Sequence, residues 1–342
     1  MNILVTGSSG FIAGFLIPAL AAKGHTVVGI DKRPGGAFGD HFRFVHGDIL
    51  DDEAVDSAMP GIDLIIHLAA EHKDFGVPEA LYYQVNVDGT EKLLQHASRH
   101  RIRRFIFFSS VAVYGDRPVP TNEGLAPAPD SPYGKSKLLG ERRVEAWVAQ
   151  AADRQALTVR PTVIFGPHNY ANVYRLIQSV AKRRFVGVGD GGNIKSIGYV
   201  ENVAAAALFL TDRMKPGVDI YNYADSPHMT ALGLVTYIAK NLKVKLPSIR
   251  IPKPLALACA FPFDLVAKAT KKDLPLTAKR IAKFTNPTHH EAQKILRAGF
   301  TPPYSLEAGI QKTIAWYTAD QHTPPAAEHG PDAAYRHRHV DQ

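Results

Sequence analysis

The chain has 342 residues, 45% of them hydrophobic, one cysteine and a formal charge of +8. That length suits one large α/β domain with an appended lobe, or two intimately joined domains. The single Cys259 excludes an intrachain disulfide and a cysteine metal cluster, and no run of eighteen apolar residues offers a transmembrane helix.

The first half alternates strand and helix. The residues Asn2–Thr6 predict a strand, Phe11–Lys23 a helix, Thr26–Asp31 a second strand and Phe42–Asp48 a third. A fourth strand is expected over Ile62–Leu68, a helix over Pro78–Arg99, a fifth strand over Arg104–Ser109, a helix over Pro132–Ala152 and a sixth strand over Leu157–Arg160. Continuous apolar strands alternating with helices imply a parallel sheet with right-handed crossovers, the Rossmann-type doubly wound α/β architecture. The expected dinucleotide-binding domain is 1–165, with 198–225 returning to it through a helix near Val200–Thr211 and a strand near Ile220–Tyr223. The remainder of 166–318 reads as a smaller, discontinuous α/β substrate lobe, and 319–342, rich in Pro, Ala, His and Asp, as a disordered tail.

The N-terminus, MNILVTGSSG, lacks the charged region and long apolar stretch of a signal peptide, so a cytoplasmic location is expected. The positive balance favours anionic partners. The clusters Arg101–Arg104 and Lys182–Arg184 read as solvated helix ends or loop edges, and no nucleic-acid-binding motif accompanies them.

The first strand runs into Gly7-Ser8-Ser9-Gly10-Phe11-Ile12. Glycines there permit a tight turn and close backbone approach to a pyrophosphate, and the following helix offers free N–H groups and a positive dipole end. Asp31 closes the second strand, where a carboxylate accepts hydrogen bonds from a ribose and repels a 2′-phosphate. NAD is therefore expected, with NADP left open by Lys32 and Arg33. Asp48 is placed either for the adenine edge or as a helix cap.

Tyr133 and Lys137, four apart, share a helix face. A free tyrosine has a pKa near ~10, and a neighbouring ammonium favours its phenolate. Such a phenolate can take the proton of a substrate hydroxyl while hydride leaves for a nicotinamide. Ser110, at the end of the fifth strand, can hydrogen-bond the same oxygen.

Eight motifs in this order, TGSSGFIAG (6–14), GDI (47–49), HLAA (67–70), NVDGT (86–90), SSVAVYG (109–115), SPYGKSK (131–137), RPTVIFGP (160–167) and YVENVA (199–204), carry a family likeness. Over about residues 1–318 the chain resembles the extended short-chain dehydrogenase/reductases, in their sugar-nucleotide epimerase/dehydratase branch with its UDP-glucose 4-epimerase-like members. The resemblance implies a catalytic Ser110, Tyr133 and Lys137, the lysine also holding the nicotinamide ribose. It implies a pyrophosphate loop at Gly7, Gly10, Phe11 and Ile12, a ribose binder at Asp31, an adenine pocket at Asp48 and Ile49, and Leu68, Ala69 and Ala70 along the cofactor. It implies further that Pro161 begins the segment that meets the carboxamide, and that Asn172 and Lys195 fall where relatives hold the substrate diphosphate. Three departures stand out: Ala13 replaces the third glycine, Lys195 replaces an arginine, and the usual late arginine-containing diphosphate motif is not evident, with Arg280 the candidate to replace it. The resemblance also implies a homodimer through helices beside the active site.

Dehydratases of that branch carry an Asp-Glu pair just after the catalytic Ser/Thr; Val111 and Ala112 stand there instead. Expected is NAD-dependent 4-epimerisation of a UDP-hexose or UDP-N-acetylhexosamine through a 4-keto intermediate. A 4-ketoreductase of a nucleotide-linked 4-keto-6-deoxy sugar, a hydroxysteroid or lipid dehydrogenase and, against the intact Ser–Tyr–Lys set, an NAD-sensing regulator are the alternatives. Residues 252–270 are unusually apolar; they read as a lid helix or dimer contact, with peripheral membrane contact as the other possibility, and Cys259 within them as a core residue. His72 and Lys73 are expected near the sugar. His67, Glu71, His72 and Asp74, and His337 and His339 in the tail, are not expected to bind metal.

Overall fold

The computed structural model describes residues 1–36, 38–73, 76–117, 120–248, 250–270 and 277–320; the side chains of 264–270, 279, 280, 283 and 320 lie outside that description. The tail histidines His337 and His339, Asp74 and the side chain of Arg280 therefore lie outside the described residues.

In chain order the elements are β1 (Asn2–Thr6), α1 (Ala13–Ala22), β2 (Thr26–Asp31), β3 (Phe42–His46), α2 (Asp52–Ala58), β4 (Leu64–His67), α3 (Glu79–Tyr83), a π turn (Gln84–Asp88), α4 (Gly89–Arg99), β5 (Arg104–Phe108), a 3₁₀ turn (Val111–Tyr114), α5 (Pro132–Val148) and β6 (Gln155–Pro161). There follow β7 (Val163–Phe165), α6 (Asn172–Ala181), β8 (Gly187–Val188), β9 (Ile194–Lys195), β10 (Ile197–Tyr199), α7 (Val200–Thr211), β11 (Gly217–Tyr223), β12 (Met229–Thr230), α8 (Ala231–Asn241), β13 (Arg250–Ile251), α9 (Lys253–Thr270), α10 (Ala278–Thr285), α11 (Gln293–Arg297) and α12 (Leu306–Asp320).

The main sheet is parallel throughout, in the order β11-β6-β5-β4-β1-β2-β3. Its direction of growth reverses between β1 and β4, which opens a crevice at their carboxyl ends. The period of two divides each strand between two cores. Ile3, Val5, Leu64, Ile66, Ile106 and Phe108 face α1 and α7, where Leu16, Leu20, Val203 and Leu210 meet them. Leu4, Ile65, Phe105 and Phe107 face the other side, against Val55 of α2, Leu93 of α4 and Val144 and Trp147 of α5. Burial on both faces explains why these strands read as unbroken apolar runs. A third core joins α6, α8 and α12 through Val173, Ile177, Leu234, Ile238, Ile310 and Ile314.

The structure departs from the sequence reading in particular places. The single helix expected over Pro78–Arg99 is α3, a π turn and α4. The extra residue of the π turn lets the fully buried Asn86 reach sideways. Its Nδ2 donates to Glu71 O at 3.0 Å and Ser136 Oγ at 2.9 Å, and its Oδ1 accepts from Glu71 N at 2.8 Å. The cap of α2 is Asp51, which accepts from Glu53 N and Ala54 N, rather than Asp48. Cys259 is exposed and not in the core, because α9 buries Ala256 and Ala260 instead.

Candidate active site

The glycine turn, Asp31, Ser110 and Lys137 lie along the carboxyl edge of the main sheet. β1 ends in Thr6 and turns through Gly7, whose φ of +67° suits glycine; a Cβ there would lie 2.7 Å from Ala69 N, just past β4. Gly7 N and Ser8 N both donate to Ile30 O, and Gly10 N closes the turn on Gly7 O at 2.9 Å. A Cβ on Gly10 would meet that same carbonyl. Ile12 caps α1 without a side-chain hydrogen bond, and its first turn carries no acid. Bare backbone leading into an uncapped helix start fits a pyrophosphate.

Asp31, 7% exposed at the end of β2, accepts from Ser9 N at 3.1 Å and from Arg33 N at 2.9 Å, with Arg33 Nε at 3.5 Å. One carboxylate thus ties the glycine loop to the end of the second strand, where a ribose binder belongs. Asp48 Oδ1 accepts from Leu50 N, and Lys32 lies 3.6 Å from Oδ2. Ile49 is buried and packs against Gly89 at the start of α4. Leu68, Ala69 and Ala70 follow β4, and Pro161 ends β6. The chain's own residues therefore supply a cradle that fits a dinucleotide.

The proposed proton carriers stand on the next strand and helix of this edge. Ser131 caps α5 by accepting from Gly134 N at 3.1 Å, and Pro132 takes the first helical position. Gly134 packs its bare Cα on the carbonyl of Ala112, inside the 3₁₀ turn that begins after Ser110. Ser110 Oγ caps that turn by accepting from Ala112 N at 3.2 Å. Lys137, 3% exposed, donates its Nζ to Phe108 O at 2.7 Å, which fastens α5 to the end of β5. Burial pulls its pKa down to about 7, with Glu141 opposing the shift. The ring of Tyr133 lies 6.3 Å from that of Tyr82, whose hydroxyl donates to Lys73 O.

Two buried polar groups near the edge are structural. His67 sits between Thr6 Oγ1 (2.6 Å) and Thr90 Oγ1 (3.0 Å), and burial holds its pKa down to about 3. Arg160 pairs with Glu141 at 2.6 Å and donates to Tyr114 Oη at 2.9 Å, and Tyr114 donates in turn to Asn222 Oδ1 at 2.8 Å. This network has no local signature in the sequence, because its members are 19 to 108 residues apart.

The residues expected at the substrate are more scattered. His72 and Lys73 are exposed, and their N–H groups donate to Glu71 Oε1. Asn172 is the exposed first residue of α6. Lys195 Nζ donates to Asn286 O at 2.6 Å, and burial pulls its pKa down to about 8 against the pull of Asp116. Asn286 Nδ2 donates to Asp116 Oδ2 at 3.0 Å, so Lys195 is tied to the segment just beyond the 3₁₀ turn. On the helical side of the domain, Asp56, His96 and His100 bring potential ligand atoms within 4.8 Å of one another. They engage as pairs, His96 Nδ1 at 3.2 Å and His100 Nε2 at 2.8 Å from Asp56 Oδ1.

The family model for the NAD-dependent epimerase/dehydratase family matches residues 3–224. An N-acetyl-α-D-glucosaminyl-diphospho-ditrans,octacis-undecaprenol 4-epimerase from Escherichia coli O157:H7 is 35% identical over 316 residues, covering 92% of this chain and 95% of its own. A dTDP-glucose 4,6-dehydratase from Streptomyces niveus is 28% identical over 338 residues, 93% of each chain. Among solved structures, a UDP-glucuronic acid 4-epimerase from Bacillus cereus in complex with NAD superposes with a TM-score of 0.74 at 22% identity, over 93% of this chain and 99% of its own.

Proposed function

The chain belongs to the NAD-dependent epimerase/dehydratase family, and from that premise we propose that it inverts C4 of a diphosphate-linked hexose by reversible oxidation to the 4-ketone. A UDP-hexose or UDP-N-acetylhexosamine is the expected soluble substrate. The observation that carries the reading is the composition of one short turn. Ser110 is followed by Val111 and Ala112, so the turn beside Ser110 carries no carboxyl group. Water elimination needs an acid and a base of its own, and neither side chain can serve. Tyr133, with Lys137, remains as the proton carrier, and that set suffices for alcohol–ketone redox.

In this reading Gly7, Gly10 and the start of α1 hold the pyrophosphate of NAD and Asp31 its adenosine ribose, while Asp48 and Ile49 border the adenine. NAD supplies a reversible hydride acceptor at the carboxyl edge of the sheet. Tyr133 takes the proton of the C4 hydroxyl and returns it to the alkoxide of the opposite configuration. Lys137, when protonated, favours the phenolate by its charge, and Ser110 Oγ hydrogen-bonds the same oxygen. Asn172 and Lys195 face the diphosphate. The relative at 35% identity, named for a sugar diphosphate on a polyprenol, supports a second substrate class in which lipid replaces the nucleoside.

A cytoplasmic location and a homodimer through α4 and α5 belong to the same reading; the exposed Leu139 on α5 supports the contact. The test is incubation of the purified protein with UDP-hexoses and their N-acetylated analogues without added cofactor. Interconversion of C4 epimers is expected. Turnover restricted to 4-keto sugars, with stoichiometric NAD(P)H oxidation, would assign a reductase instead.

A further inference from the structure

Residues 226–290 contain eleven Lys or Arg and two Asp or Glu, so this one segment accounts for the whole positive balance of the chain. No acidic residue occurs between Asp225 and Asp264. Within the same segment, α9 is inside out for a helix in water over its described side chains, 253–263. It buries the small side chains Ala256 and Ala260 against Ile281 of α10. It leaves Leu255 55%, Phe261 63% and Phe263 41% exposed, and these are the two exposed phenylalanines among the described residues. Large apolar groups left in water in this way mark a surface that is covered in use. No charged residue interrupts the stretch from Pro254 to Phe263. Before it in the chain come the exposed bases Lys243, Lys245, Arg250 and Lys253.

We propose that α9 docks on a bilayer surface carrying anionic lipid, with Leu255, Phe261 and Phe263 entering the interface and the flanking bases meeting the lipid phosphates. Each feature alone would fit other occupants: an apolar patch suits a protein, and a basic segment suits any polyanion. Their coincidence suits a surface that is apolar and anionic together. A second copy of the chain is a poor occupant, because it would set one basic segment against another. Among the described residues no helix is long and apolar enough to cross a membrane, so the docking is peripheral.

The face adjoins the candidate site. Lys253, the first residue of α9, donates to Asn286 Oδ1 at 3.1 Å, and the carbonyl of that asparagine accepts from Lys195. A bilayer under α9 therefore lies beside the rim assigned to the diphosphate. A sugar diphosphate whose far phosphate carries a polyprenyl chain would present its diphosphate at that rim while the chain stays in the membrane. That choice of substrate rests on the reaction proposed above, whereas the docking does not.

The test is flotation of the full chain with vesicles of phosphatidylcholine alone, or with about 30% phosphatidylglycerol added. Co-flotation with the anionic vesicles, weakened by salt, is expected. The Phe261→Ser/Phe263→Ser variant should lose at least about tenfold in partition. Cys259, the one cysteine and an exposed one, takes an environment-sensitive fluorophore that should shift to the blue on the same vesicles. No co-flotation, or equal partition of the variant, overturns the proposal. So does light scattering that finds a dimer dissociated by the variant, which would make the face a self-interface. Turnover of a soluble sugar diphosphate separates the two readings: the double variant should keep it, and Tyr133→Phe should lose it while still floating. Vesicle binding without turnover in any preparation would leave the docking standing and remove the reaction.

Discussion

Lys137 Nζ donates to the carbonyl of Phe108 at 2.7 Å, so the second turn of α5 is fastened to the last residue of β5. The bond fixes the proposed Tyr133–Lys137 face against the sheet edge from which Ser110 emerges. It also buries an amine. The unfolded chain holds the Lys137 proton up to about pH 10.5, and the folded chain releases it near 7. Between these values the unfolded state binds more protons, so stability climbs as pH rises. Moving the cofactor-free protein from pH 7 to pH 9 should add about 2 kcal/mol more to the wild type than to Lys137→Met. Urea unfolding at the two pH values checks this, and equal increments would mean the amine is not desolvated.

Glu141 and Arg160 form a buried pair, 1% and 3% exposed at their side chains, and Arg160 also supports Tyr114. Removing one partner leaves the other charge buried. Glu141→Leu should therefore cost about 3–5 kcal/mol, while Glu141→Leu combined with Arg160→Met should recover much of that loss. Denaturant midpoints of the single and double variants measure the coupling; additive losses would show that the pair is not a unit.

Asp31 accepts two backbone N–H groups of the chain and, in the proposed complex, the ribose hydroxyls. Asp31→Ala should weaken NAD about 10- to 100-fold, the scale of hydrogen bonds to a charged group. NADP should be affected less, because the variant removes a repulsion from the 2′-phosphate and leaves Arg33. Calorimetric titration with both cofactors tests the ratio, and an unchanged ratio removes Asp31 from the ribose site.

Tyr133→Phe deletes the phenolic proton and leaves the ring beside Tyr82. Folding and NAD binding should persist, with turnover down by at least about 10²-fold, the scale of general acid–base catalysis. Turnover near the wild-type rate would assign the proton transfer elsewhere.

Much of the candidate site is legible in the sequence because its parts are local. A strand running into Gly7-Ser8-Ser9-Gly10, an acid at the end of the next strand and Tyr133 four before Lys137 are short patterns that the fold gathers at one sheet edge. The parts that were not legible are tertiary. A 3.6-residue period does not reveal the added residue of the π turn, since Asn86 is explained only by partners at Glu71 and Ser136. Nor does composition show which way an apolar helix turns: α9 was expected to bury Cys259, yet it hides two alanines and exposes its phenylalanines.

The central claim is that hydrogen leaves C4 and returns to the same carbon on its opposite face. UDP-N-acetylglucosamine carrying deuterium at C4 tests it directly, when converted without added cofactor and followed by mass spectrometry and NMR. Inversion through the 4-ketone gives the C4 epimer with its deuterium retained at C4. Deuterium exchanged for solvent hydrogen in the epimer would contradict it.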